Sequence, residues 1–166
     1  MIARLGQLTR ADRVRRNHAL EHAAITILSE SRPTTQVYGR SNSRGFFVFG
    51  DVTTDEVGGA VTAGLERLRA GEASLAIHPR CGTNLAVAGI LTGIAAALTS
   101  SVQNRVNRFS SAILASLTAL AIAPWVGTAA QRHVTTLAEL GDLQIAGVES
   151  RRIMGKRCCW VRTSQT

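Results

Sequence analysis

Two stretches without a charged side chain limit the fold more than anything else in this sequence: Gly82 to Gln103 and Phe109 to Gln131, with Arg105 and Arg108 in the gap between them. Each has about the 20 residues that a helix needs to cross a bilayer. The short polar segment Gln103-Asn104-Arg105-Val106-Asn107-Arg108 joins them, so they predict an antiparallel transmembrane hairpin with helices over about 85–102 and 109–130. Gly89 and Gly93 form a G-x-x-x-G pair in the first run, and Ala112, Ser116 and Ala119 a small-residue stripe in the second. Both are of the kind that lets helix backbones approach closely. Pro124 is expected to kink the second helix. Burial of the two helices in a soluble core is the competing reading, and two consecutive runs of spanning length favour the bilayer.

Charge then orients the hairpin. The net charge of +8 is almost wholly arginine, with Lys156 the one lysine. Residues 1–84 carry 11 basic side chains and residues 131–166 carry 6, against 2 in the loop. The positive-inside tendency places both flanks, and both termini, on the cytoplasmic side of the inner membrane, with anionic lipid headgroups as partner. Only seven aromatics, no nucleic-acid-binding motif and dispersed basic residues argue against nucleic acid. Cys81, Cys158 and Cys159 give no even disulfide framework, which fits reduced thiols. Met1 to Arg16 carry charges at short intervals and lack a secretory signal core, so insertion is expected to fall to the later hairpin.

The flanks read as a mixture of helix and strand. A helix is expected from about Arg10 to Ser29, with Val14, Leu20, Ile25 and Leu28 apolar and Pro33 ending it. Thr35 to Tyr38 and Phe46 to Val52 read as a β-hairpin around Arg40 to Gly45. Thr53 or Thr54 caps a helix to about Ala70 with Val57, Val61, Leu65 and Leu68 at helical spacing, and Ser74 to Ile77 reads as a short strand. Leu143 to Val148 and Cys158 to Val161 look like two more strands, with Arg151 to Arg157 at their turn. The expected architecture is an α+β membrane protein: a cytoplasmic α+β segment (1–84), a two-helix transmembrane hairpin inserted in it (85–130), and a β-rich segment (131–166) that completes the small helix-plus-sheet domain.

Two motifs carry the chemistry. His18-Ala19-Leu20-Glu21-His22 has the order H-x-x-E-H, which on a helix puts both imidazoles on one face beside a carboxylate, as in zinc hydrolases of the inverted motif. His78-Pro79-Arg80-Cys81-Gly82-Thr83-Asn84 adds a third imidazole and a thiol at the start of the first apolar run. There the helix dipole favours a thiolate, with Gly82 in a tight turn and Thr83 or Asn84 as helix cap. His133, after the second run, is a further candidate ligand, and Cys158 and Cys159 are strand residues without metal spacing.

Together, H-x-x-E-H and a downstream His-Pro-Arg-Cys-Gly-Thr entering an apolar helix resemble the YqhQ-type family of bacterial membrane proteins, described as metal-dependent enzymes. The resemblance covers about residues 17–100, with His18, Glu21, His22, His78 and Cys81 matching position by position. The family's first motif looks like His-Gly-Ala-Glu-His-Lys, whereas here Ala19 and Leu20 lie between the outer residues, Ala23 replaces the lysine, and Asn84 stands where Ser is usual. The resemblance implies a metal site more than a particular reaction.

The leading expectation is a membrane-bound zinc-dependent hydrolase of peptide or lipid-linked substrates, with His18, His22, His78 and Cys81 as ligands and Glu21 as general base. A second is a non-enzymatic protein in which those four ligands form a structural zinc site joining the cytoplasmic helix to the hairpin. A third is thiol chemistry at Cys81 with His78 or His22 as base.

Overall fold

The computed structural model describes residues 9–101 and 104–165. The expectations for residues 1–8, and for Val102 and Gln103 at the hairpin loop, lie outside the described residues. The chain divides into two compact units: the described residues through His78 together with those from Thr135 onward, and Pro79–Val134.

In the first unit, α1 (Arg10–Ser31) begins where Thr9 accepts a hydrogen bond from the Asp12 amide at 3.1 Å, and Pro33 follows its end. Its inner face is Ala19, Leu20, Ala23, Ala24 and Leu28. Helix α2 (Thr54–Arg69) opens with a capping box between Thr53 and Glu56 and buries Val57, Ala60, Val61, Gly64, Leu65 and Leu68. A Cβ on Gly64 would sit 3.1 Å from the Cβ of Ala23, so the two helices pack with little between them. Both lie on an antiparallel sheet of β1 (Tyr38–Asn42), β2 (Gly45–Phe49), β3 (Gln144–Ile153) and β4 (Lys156–Ser164), in the order β1-β2-β4-β3. Phe46, Val48, Cys159 and Val161 face the helices. The alternate positions carry rings: Tyr38 stacks on Phe49 at 5.0 Å, and Phe47 meets Trp160 at 4.4 Å.

Local hydrogen bonding moves several expected boundaries. The first strand begins at Tyr38, because the Asn42 side chain accepts from the Arg44 amide at 2.8 Å and tightens the turn to Ser43-Arg44. Gly45 (φ 143°) ends that turn at a position where a Cβ would collide with the Val161 carbonyl. Ser74 to Ile77 is not a strand: Ala73–Ala76 form a 3₁₀ turn, closed by Leu75 N to Glu72 O and Ile77 N to Ser74 O, both at 3.1 Å. Strands β3 and β4 extend to a turn at Met154-Gly155, so Arg151, Arg152 and Arg157 are strand residues.

The second unit is an antiparallel helix pair, α3 (Gly82–Leu98) and α4 (Arg105–Ala130), the latter running into a π-helical turn at Gln131–Thr135. Gln131 donates to Asn84 at 2.8 Å and Ser116 donates to the Thr92 carbonyl at 3.5 Å, which fixes the antiparallel direction. Asn104 caps α4, so Val106, Asn107 and Arg108, expected in the loop, form its first turn. Cys81, rather than Thr83 or Asn84, caps α3, its Sγ accepting from the Thr83 amide at 3.4 Å. Pro124 lies inside α4.

Val106–Thr135, 30 residues, is long and apolar enough to cross a membrane, while Gly82–Leu98 is shorter. Ala112, Ser116 and Ala119 lie on the packed side of α4, with Ala123 and Gly127 continuing the stripe. Gly89 and Gly93 do not share this role. A Cβ on either meets nothing within 4 Å, whereas one on Gly127 would collide with the Asn84 carboxamide. Large side chains such as Leu85, Leu98, Phe109 and Trp125 point outward, each at least 70% exposed.

Gly127→Ala should therefore destabilise the full chain by about 1–3 kcal/mol, whereas Gly89→Ala should be neutral or stabilise by up to about 1 kcal/mol through helix propensity. Thermal unfolding of the two variants in detergent checks the contrast.

Candidate metal centre

Helix α1 carries His18, Glu21 and His22, and three other backbone segments hold them. His22 is 1% exposed, and its Nδ1 lies 2.7 Å from the Ala76 carbonyl oxygen. The 3₁₀ turn presents that carbonyl. A carbonyl only accepts, so Nδ1 carries a proton, and in the neutral ring Nε2 has the lone pair. That Nε2 is buried and has no hydrogen-bond partner among the described residues. An unsatisfied buried acceptor is costly, and a histidine fixed through one nitrogen with the other turned inward is how proteins prepare a metal ligand.

His18 repeats the arrangement. Its Nδ1 is 3.0 Å from the Thr135 carbonyl, which leaves Nε2 as the basic nitrogen. The Thr135 segment is anchored on α1 by the Leu137 amide donating to the Arg15 carbonyl at 3.1 Å. The His18 and His22 rings are 4.3 Å apart, with ligating nitrogens within 4.8 Å of one another. The ring of His78, half-buried in the same unit, lies 5.8 Å from that of His22.

Glu21 is 4% exposed and reaches strand β1, where its carboxylate accepts a short hydrogen bond from the Ser41 hydroxyl. Gly39, two residues before Ser41 and on the same strand face, makes room for it: a Cβ there would come within 2.5 Å of Glu21 Oε1. Gly39, Ser41, Ala76 and Thr135 are site residues that sequence reasoning missed. A small residue and a hydroxyl alternating on an inward strand face were a usable signal; nothing in a sequence marks one carbonyl among many.

Cys81 belongs to the second unit, half-buried at the α3 cap, and His133 is exposed in the turn after α4. Cys158 and Cys159 are buried on β4. Burial pushes both thiols up, opposed at Cys158 by Arg151 and reinforced at Cys159 by Cys158 and Glu56. Neither is a ready thiolate.

The family described as a domain of unknown function (DUF6391) matches residues 13–148, a span that takes in both histidine motifs. The chain belongs to the DUF6391 family. It is 40% identical over 134 residues to an uncharacterised protein of Picosynechococcus sp., the alignment covering 74% of this chain and 65% of that protein. The chain thus spans just under two thirds of that relative's length. No solved structure matches. Neither match carries the YqhQ-type description, so DUF6391 is the membership shown.

Gly39→Ala should cost about 1–3 kcal/mol by forcing the Glu21 carboxylate off its seat. In a Glu21→Ala background the same change should cost little, giving a coupling energy above about 0.5 kcal/mol in a double-mutant cycle.

Proposed function

We propose that this DUF6391 chain is a membrane-held zinc-dependent hydrolase of peptide or lipid-linked substrates, with His18, His22, His78 and Cys81 as ligands and Glu21 as general base. The orphaned, buried Nε2 of His22 is the observation that carries the reading, because a metal supplies the partner that the protein does not. Imidazole and thiolate are donors that favour zinc. His78 lies beside His22, and Cys81 follows it by three residues, a reach of about 10 Å at full extension. The likeness of both motifs to the YqhQ-type family supports the same reading.

Zinc in such a site supplies Lewis acidity toward a substrate carbonyl and toward water. The chain's own residues do the rest. The Ala76 and Thr135 carbonyls hold the two imidazoles in one tautomer, so their Nε2 lone pairs are set before any ligand arrives. The Ser41 hydroxyl holds one end of the Glu21 carboxylate, which takes a proton from the attacking water and passes it to the leaving group.

A bilayer accounts for the second unit. Small residues lie between its helices and large apolar ones point outward, the reverse of what water selects. The arginine-rich flanks then favour the cytoplasmic face of the inner membrane and contact with anionic headgroups. The deep burial of His22 and Glu21 favours one other reading, a closed four-ligand structural zinc site.

Elemental analysis and hydrolase assays on the full chain in detergent separate the two. Near-stoichiometric zinc is expected in the wild type and in Glu21→Gln, with loss of metal in His22→Ala and Cys81→Ala. Turnover of peptide or ester substrates should fall at least about 100-fold in Glu21→Gln. Zinc present with turnover indifferent to Glu21→Gln overturns the hydrolytic mechanism; a wild type that takes up no zinc overturns both readings.

A further inference from the structure

In the first unit, the start of α1 and the β1–β2 turn enclose an open concavity of about 670 Å³, lined by Arg10, Arg13, Asn42, Ser43 and Arg44. Most arginines near α1 and α2 have a carboxylate: Arg15 has Asp12 at 3.5 Å, Arg16 has Asp142 at 3.2 Å, and Arg32 has Glu56 at 2.9 Å. The guanidinium groups of Arg10, Arg13 and Arg44 are in no ion pair among the described residues. The acidic residue of this first turn is already committed, since Asp12 accepts from the Thr9 hydroxyl at 2.7 Å and from Arg15. Three arginines therefore line a concavity whose lining has no carboxylate. Such an arrangement raises the local potential and attracts an anion.

We propose that this concavity binds a phosphate monoester. Guanidinium forks match the oxygens of a phosphate two at a time, Ser43 adds a hydroxyl donor, and the first turn of a 22-residue helix adds partial positive charge. The two walls are fixed relative to each other. Asn17 on α1 donates to the Asn42 carbonyl at 2.8 Å, and the Asn42 side chain accepts from the Arg44 amide at 2.8 Å, so the turn is held in place before a ligand binds. The volume admits the phosphate and part of what it is esterified to. A phospholipid headgroup and a soluble organic phosphate share this chemistry.

The test is calorimetric titration of the full chain in a neutral detergent with dihexanoyl phosphatidic acid and, separately, with inorganic phosphate. The Arg10→Gln/Arg44→Gln variant changes two exposed side chains and should keep the fold, checked by circular dichroism. An Arg152→Gln/Arg157→Gln control removes the same charge from exposed positions on β3 and β4. Saturable binding of the lipid is expected, weakened at least about tenfold in Arg10→Gln/Arg44→Gln and little changed in the control. Inorganic phosphate binding as tightly as the lipid would assign the site to soluble phosphates; much weaker binding would assign it to headgroups, and both support the proposal. No saturable binding of either probe, or equal loss in variant and control, overturns it.

Discussion

The hydrogen bond from His22 Nδ1 to the Ala76 carbonyl organises the first unit. It places an imidazole in the middle of a helix face that would otherwise be aliphatic, between Leu20, Ala23 and Ala24 on α1 and Leu75 and Ala76 below it. Net stabilisation from such a bond is about 1 kcal/mol, while the unanswered acceptor on the other nitrogen costs about 1–3 kcal/mol. An apolar residue of the same size would serve the core better. Packing alone therefore does not explain the histidine. His18 on Thr135, and Glu21 on Gly39 and Ser41, extend the same logic along α1: each polar group is gripped by backbone or a strand residue in one orientation.

The second unit obeys a different rule. Between α3 and α4 lie mainly alanine, serine, threonine and glycine, with Leu91 half-buried among them, and Gly127 packs closely against Asn84, tied by Gln131. Water would drive Leu98, Phe109, Leu117 and Trp125 inward; here they face out. Small residues and a few polar pairs, rather than burial of large apolar side chains, make up most of the contact between these helices.

Much of this was legible where periodicity carries the signal. Val57, Val61, Leu65 and Leu68 recur at helical spacing and are the buried face of α2; the charge-free runs give the two helices of the pair. Legibility failed where pairing or local hydrogen bonds decide. Ser74 to Ile77 has the residues of a strand but closes on itself, and Gly89 with Gly93 matches a packing motif while facing away from its neighbour. At the site, H-x-x-E-H placed two imidazoles together because helix geometry does so unaided. The supports from Ala76 and Thr135 are 54 and 117 residues away in sequence and are backbone atoms, which no residue pattern encodes.

The proposal rests on His22 being a prepared ligand through Nε2. Nitrogen-15 NMR of the imidazoles in the full chain, before and after zinc, tests it most directly. The Nδ1–H tautomer is expected for His22 in metal-free protein, with a large shift of its Nε2 resonance on stoichiometric zinc and Nδ1 still protonated. An Nε2–H tautomer, or a His22 spectrum indifferent to zinc, would contradict it.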